Sequence, residues 1–135
     1  MANEIIRINE ANQEFCSIDM VNATFEEKKA AYNAINNAEK KISDFINMKL
    51  LIKDVYMEQV ELTDEKTGET RKAVRTVVIT PEGEGVSCTS NGVAKSMYGI
   101  FQMFGTPDQW NGEIIEVIVR QIETTKGRTF KFEIA

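Results

Sequence analysis

The sequence predicts a mainly β fold, and three observations support this prediction. Long stretches alternate apolar with polar residues, which is the period of a strand with one face in water. Polar segments that contain Gly or Pro separate these stretches and indicate turns. Apolar residues at the helical spacing of three or four stand out in two places. A length of 135 residues favours a single core.

The N-terminal part is predicted to contain one helix, from about residue 24 to 38. Thr24 followed three residues later by Glu27 is typical of a capping box. Apolar residues at helical spacing follow: Phe25, Ala31, Tyr32 and Ile35. Residues 1–23 show no clear period, and we interpret them as a strand or an arm.

A long strand is predicted from residue 42 to 62. Two sets of residues alternate along its first half: Ile46, Met48, Leu50 and Ile52 on one face, and Phe45, Asn47, Lys49 and Lys53 on the other. A strand of about twenty residues exceeds the usual five or six. We therefore expect a bulge near residues 53–55, where the strand bends and passes between two halves of a curled sheet.

Two further strands follow this long one. The polar segment 63–70 has a central glycine and strand-like neighbours, so it is predicted to be a hairpin loop. Residues 71–80 then form the second strand. A turn at 81–85, with one Pro and two Gly, leads to a third strand at 85–90.

The period then changes to that of a helix, from about residue 92 to 104, which ends at Gly105 and Pro107. Its apolar residues form a stripe expected to face the core: Val93, Met97, Tyr98, Ile100, Phe101, Met103 and Phe104. The runs 114–122 and 128–134 are rich in β-formers and are joined by ETTKG, so they are predicted to form a final hairpin.

The order of three strands, a helix and two strands, with a long bent first strand, is that of the OB-fold. This fold is a five-stranded Greek-key barrel, here with the helix between strands three and four. We expect residues 1–40 to be an N-terminal extension with one helix and residues 41–135 to be the OB-fold domain.

Composition excludes several classes of function. The absence of histidine removes every mechanism that needs an imidazole base or ligand. Cys16 and Cys88 lie far apart without a CxxC pair, so we predict no zinc site, no other metal and no cofactor. No phosphate-binding or nucleophile motif occurs, which argues against an enzyme. The sequence contains neither the pattern of a secretory signal nor an apolar run long enough to span a membrane, so we expect a soluble cytoplasmic protein.

The charge balance directs attention to local sites. Sixteen Lys and Arg against 21 Asp and Glu give a net charge of −5, so any site for a polyanion must be local. OB barrels bind on the face of strands two and three, flanked here by loops 63–70 and 123–127. The cations near this predicted face include the cluster Arg71, Lys72 and Arg75, and the residues Lys49, Lys53, Lys126, Arg128 and Lys131. The alternative is a solvated surface with lysines that protect sheet edges.

Aromatic rings on such a face would stack with bases. The candidates are Tyr56, Phe45 and Trp110. Tyr56 could equally be a half-buried core tyrosine, and Trp110 could close one end of the barrel. Phe130 and Phe132 alternate with Lys131, which is expected to place both rings inward and the lysine outward.

From about residue 45 to 135 the chain resembles the small single-stranded DNA-binding proteins of phages, including phages that copy linear genomes by protein priming. The resemblance lies in GVSCTS, in NGVAKSMYGIFQMFGTP as the inserted helix, and in IIEVIVRQIETTKGRTFKFEI as the closing strands. In that family tyrosines on the barrel face stack with bases. Tyr56 occupies a comparable place, whereas the third strand has Ser87 and Cys88 where another aromatic is expected, which could shift stacking to Phe45 or Trp110.

The resemblance implies a protein without catalysis that coats strands displaced during replication. The leading hypothesis is therefore sequence-tolerant binding of single-stranded DNA by a monomer or a weak homo-oligomer, with replication proteins as candidate partners. The alternative is a non-catalytic module that docks a replication or phage protein, for which the helix at 24–38 would carry exposed apolar residues.

Overall fold

A computed structural model describes residues 14–125 and 127–135. The strands are β1 (Glu14–Cys16), β2 (Lys40–Lys41), β3 (Lys49–Ile52), β4 (Asp54–Thr63), β5 (Thr70–Ile79), β6 (Gly85–Cys88), β7 (Ile115–Thr124) and β8 (Gly127–Ile134). The α-helices are α1 (Phe25–Asn36) and α2 (Asn91–Phe104), and 3₁₀ helices span Ile42–Phe45 and Pro107–Gln109. No helix in these two ranges is long and apolar enough to cross a membrane.

The strands form two sheets. The first has the order β1-β4-β5-β6-β2, and the second has the order β3-β7-β8. β4 and β5 form the hairpin predicted around loop 63–70, with Thr63 opposite Thr70. β7 and β8 form the predicted closing hairpin, with Thr124 opposite Gly127. The helix between the third strand and the closing hairpin is confirmed as α2.

The prediction of five strands in a closed barrel is not what the described residues show. They form eight strands, and no hydrogen-bonded ladder among them joins β6 to β8. The start of α2 lies against β8: a Cβ on Gly92 would overlap the carbonyl oxygen of Phe130. Further along α2, the Ser96 hydroxyl accepts a hydrogen bond of 3.1 Å from the Phe132 N–H. The helix thus lies against the edge of β8 that is not paired with β7, whereas the second edge of β6 pairs with β2.

The long first strand was predicted with the wrong start. Residues Ile42–Phe45 form a 3₁₀ helix, because the Asp44 carboxylate accepts a hydrogen bond of 2.9 Å from the Lys41 N–H and closes a turn. Asn47 then adopts a left-handed φ of 63°, which reverses the chain before β3. The expected bend is confirmed: β3 ends at Ile52 in the second sheet, and β4 begins at Asp54 in the first.

Helix α1 begins as predicted. The Thr24 hydroxyl accepts from the Glu27 N–H at 3.1 Å, and the Glu27 carboxylate accepts from the Thr24 N–H at 3.2 Å. The helix buries Ala31, Ala34 and Ile35, the last two in a cluster with Val77 and Ile79 of β5. This packing places α1 against one face of the first sheet. The domain boundary at residue 40 stays a prediction.

The main core lies between the two sheets and α2. Val93, Met97 and Ile100 of α2 are buried there, as the stripe predicts. The stripe is narrower than predicted, however: Tyr98, Met103 and Phe104 are exposed by 51%, 78% and 48%. These three positions lie beyond the side of the helix that contacts the sheets, so the prediction that they are core residues was wrong.

Candidate nucleic-acid interface

The two long hairpins bring together cations that are far apart in sequence. Arg71 and Lys72 at the start of β5 line one cavity with Arg128 of β8, and its volume is about 630 Å³. The remaining lining residues come from the end of β7, from β8, from the segment before α2 and from the first residue of α2: Thr89, Ser90, Asn91, Thr124, Thr129 and Phe130.

A second cavity of about 310 Å³ adjoins the first, since Thr89 and Phe130 line both. Its cations are Lys41 and Arg75, and its other lining residues are Ser43, Ser87 and Cys88. We call the two cavities together the cationic groove. The groove is lined by the end of β6 and by residues of both sheets.

The cations of the larger cavity are available for a ligand. In the described part of the chain Arg71 and Lys72 make no ion pair. Arg128 lies 3.6 Å from the Glu123 carboxylate, but both side chains are exposed, so this pair is worth at most about 1 kcal/mol. A phosphate can displace such a partner at little cost.

Acidic residues limit the groove at the first hairpin. Asp64 and Glu69 share with Arg71 a neighbouring cavity of about 300 Å³. The Asp64 carboxylate accepts a hydrogen bond of 2.8 Å from the Lys66 N–H, so it also holds the turn. Arg71 therefore lies between these two carboxylates and the cavity that it shares with Lys72 and Arg128.

Arg75 lines the groove but is already bound within the protein. Its guanidinium donates to the Ile35 carbonyl at the end of α1, and it lies 3.5 Å from the Glu58 carboxylate. The side chain is 22% exposed. Arg75 therefore fastens α1 to the first sheet as well as adding positive charge to the groove.

Tyr56 lies outside the groove, in the cluster that α1 covers. It packs against the buried cluster that contains Ala34, Ile35 and Val77. Its hydroxyl donates a hydrogen bond of 2.9 Å to the Glu58 carboxylate. Burial, and then the contact with Glu58, raise the pKa of the Tyr56 phenol well above its ordinary value. Of the two roles considered for Tyr56, its packing supports that of a half-buried core tyrosine.

Trp110 and Phe45 do not line the groove either. Trp110 is 6% exposed in the main core, and its indole N–H donates to the Gly105 carbonyl at 2.9 Å. The tryptophan is thus a buried residue of the main core. Phe45 packs against the same core at the end of its 3₁₀ helix.

The remaining predicted cations are dispersed over the surface. Lys49 of β3 lies 3.5 Å from the Glu116 carboxylate. Lys53 lines a separate cavity beside Glu27, at the start of α1. Lys131 is opposite Arg120 on the second sheet. Lys126 lies outside the described residues.

Sequence reasoning missed Lys41, Thr89, Ser90 and Phe130 as groove residues. Phe130 was expected to point inward, and it does pack partly on the core, but it also lines both cavities. Nothing in the local sequence separates these two roles. Cys88, which was not predicted as a site residue, also lines the groove, and burial raises the pKa of its thiol.

The groove contains the chemistry of polyanion binding: cations, hydroxyls and one aromatic ring. Among residues 14–125 and 127–135 no group of three or more His, Cys, Asp or Glu could hold a metal ion. A model of the family described as phage single-stranded DNA-binding protein, of the phi29 type, matches residues 9–133. Neither a curated protein nor a solved structure matches the chain significantly.

Proposed function

Because the chain belongs to the phage single-stranded DNA-binding protein family, we propose that it binds and coats single strands displaced during phage DNA replication, using the cationic groove. The observation that carries this proposal is the convergence of Arg71, Lys72 and Arg128, from two separate hairpins, on one cavity. Cations in a groove track phosphates, which are the same whatever the base sequence. The proposed binding is therefore sequence-tolerant.

The proposed contact set is smaller than the set predicted from sequence. Arg71, Lys72 and Arg128 contact phosphates first, because they are exposed or weakly paired. Lys41 and Arg75 extend the path along β6. Lys126 stays in the set because it precedes Arg128 by two residues. The three cations outside the groove, Lys49, Lys53 and Lys131, are left out.

The acidic net charge agrees with this mode of binding. A chain with a charge of −5 repels a polyanion everywhere except where cations cluster, so the strand is confined to the groove. A duplex hides its base faces within the stack, and an aromatic ring in the groove then has no base to contact. We therefore expect a preference for single strands.

We further propose that residues 41–135 form an open variant of the OB-fold, to which residues 1–40 add an extension. Support comes from the order of the elements: β4, β5 and β6 are sequential neighbours in one sheet, and β7 and β8 close the other after α2. The binding face then corresponds to the usual one of strands two and three with their flanking loops. The proposed activity involves no catalytic step, and its proposed setting is the host cytoplasm.

The experiment that tests the function is a titration of fluorescently labelled oligonucleotides, followed by anisotropy, across a salt series. Homopolymeric and mixed single strands of equal length are compared with the matched duplex. We expect saturable binding to every single strand, weaker binding as salt rises, and little binding to the duplex. Equal affinity for the duplex, or no binding at low salt, would overturn the proposal.

Coating is tested on a long single strand. Increasing protein should protect the strand from a single-strand nuclease, up to a stoichiometry at which the whole length is resistant. Binding to oligonucleotides without protection of the long strand would mean that the protein binds DNA but does not coat it.

A second candidate function is the docking of a replication protein through the outer face of α1. Phe25 and Tyr32 on this face are exposed by 72% and 63%, and the Lys29 ammonium lies 4.7 Å from the Phe25 ring centroid. A protein that ignores oligonucleotides in the titration would favour this role over DNA binding.

A further inference from the structure

We infer that Phe130 is the platform on which a base of the bound strand stacks. The inference rests on the proposed function and adds to it the residue that contacts the base. Phe130 lies on β8 opposite Gln121, and it lines both cavities of the groove. A strand that occupies both cavities must therefore pass this side chain.

The surroundings of Phe130 are those of a stacking site. Arg71, Lys72 and Arg128 line the cavity on one side, and Lys41 and Arg75 line the cavity on the other. Binding of single strands combines such a cationic path with aromatic rings, because every base has a face that can stack. The ring of Phe130 is partly exposed and partly packed on the core, so its orientation is restrained before DNA arrives.

The other aromatic candidates are occupied elsewhere. The Tyr56 ring packs beneath α1, and the Trp110 ring is buried in the core. Neither of them lines the groove, and in the described part of the chain Phe130 is the aromatic residue that does. The phenylalanine of β8 thus takes the place that the resemblance assigned to the face tyrosine.

The neighbouring residue Phe132 supplies a matched control. It lies on the same strand two residues on, packs against the same core and lines neither cavity. Phe130→Leu and Phe132→Leu both replace an aromatic ring with an apolar side chain that still packs. A loss of affinity in the first variant but not in the second therefore reports the aromatic face.

We expect Phe130→Leu to weaken binding of a thymidine oligonucleotide by about 5- to 150-fold, the range for loss of one stacked base. Phe132→Leu should bind like the wild type. The slope of log affinity against log salt should not change in Phe130→Leu, because all phosphate contacts remain. Equal affinities of the wild type and Phe130→Leu would overturn the inference, and so would equal losses in the two variants.

A second measurement removes the base instead of the ring. The wild type and Phe130→Leu should bind an abasic oligonucleotide of the same length with equal affinity. If Phe130 had a merely structural role, the variant would bind this oligonucleotide more weakly than the wild type as well. Phe130→Trp keeps an aromatic face, so it should bind thymidine strands nearly as well as the wild type. Binding should also quench the fluorescence of the introduced tryptophan. If the wild type binds no oligonucleotide, that result would instead contradict the proposed function itself.

Discussion

The hydroxyls of Ser90 and Thr129 lie 2.8 Å apart and join the start of α2 to β8 in the wall of the cationic groove. Ser90 is also the N-cap of α2, since its hydroxyl accepts from the N–H groups of Gly92 and Val93. The two sheets have no ladder at this point among the described residues. The hydroxyl pair of Ser90 and Thr129 therefore supplies a connection of the kind that strand pairing supplies in a closed barrel.

Replacing Ser90 by Ala should lower the free energy of unfolding by about 1–2 kcal/mol, because both the cap and the link to β8 are lost. Thr129→Val keeps the shape of the side chain and leaves the Ser90 cap of α2 intact. It should therefore lower the free energy of unfolding by less, about 0.5–1.5 kcal/mol. Urea denaturation followed by circular dichroism gives both values. A Thr129→Val variant as stable as the wild type would mean that the hydroxyl pair contributes nothing beyond the cap.

Arg71 and Arg75 should behave differently although both line the groove. Arg71→Ala should reduce the slope of log affinity against log salt by about 0.7, the value for one phosphate contact on a single strand. Its stability should stay within about 0.5 kcal/mol of the wild type, since Arg71 has no ion-pair partner in the described residues.

Arg75→Ala should in contrast lower the free energy of unfolding by about 1.5–3 kcal/mol, because the Ile35 carbonyl and the Glu58 carboxylate lose a charged donor. Salt titrations and denaturation of both variants provide the comparison. An unchanged slope in Arg71→Ala would remove this residue from the contact set, and an unchanged stability in Arg75→Ala would contradict its role as a fastening of α1.

Cys88 should report occupancy of the groove. Its thiol is partly exposed and lines the cavity of Lys41 and Arg75, whereas Cys16 is 3% exposed elsewhere. Burial raises the pKa of both thiols, so alkylation should be run near pH 9, where more thiolate is present. Bound single-stranded DNA should slow the modification of Cys88 several-fold.

Mass spectrometry of the alkylated protein assigns the modification to each cysteine, with Cys16 as the internal control. Equal rates for Cys88 with and without saturating DNA would mean that the strand does not enter this part of the groove. Faster modification of Cys16 with DNA would indicate that binding loosens the cluster beneath α1.

Tyr56 should make stability depend on alkaline pH. Its folded-state pKa is raised above the ordinary value of about 10, so the folded phenol keeps its proton while the unfolded one loses it. The contribution of Tyr56 to the free energy of unfolding is therefore complete below about pH 10, and it is lost as the pH rises above that value. The wild type should therefore lose stability more steeply than Tyr56→Phe as the pH rises above about 10.

Denaturation curves at a series of pH values measure this difference, and the lysines that titrate in the same range cancel because both proteins contain them. Parallel pH profiles for the two proteins would contradict the buried position of the phenol and its contact with Glu58.

Several elements were predictable because their signals are local. The capping box of Thr24 and Glu27 identified the start of α1, and a polar loop with a central glycine identified the hairpin between β4 and β5. The start of β3 was not predictable in this way. Alternation through residues 42–48 resembles a strand, but the turn closed by Asp44 and the reversal at Asn47 depend on a few specific hydrogen bonds and dihedral angles.

The candidate site divides along the same line. Arg71 and Arg128 were predicted as cations near two loops, and the pairing of each loop's strands brought them to one cavity. Tyr56 and Trp110 were stacking candidates by residue type, and neither lines the groove: Tyr56 packs in a cluster with residues of α1, and Trp110 lies in the main core. Alternation places Phe130 and Phe132 on one face of β8 and cannot say which of them reaches the groove.

The sequence by itself determined the mainly β composition of the fold, the two hairpins, the two helices and the local excess of positive charge, because period, turn residues and charge are properties of neighbours in the chain. Only the tertiary structure decided that α2 packs against β8, that Tyr56 packs in a cluster with residues of α1, and that Phe130 lies between two sets of cations. These relationships join residues about forty positions apart, as Ser90 and Thr129 are, and they depend on which surfaces exclude water together. No local pattern specifies that choice.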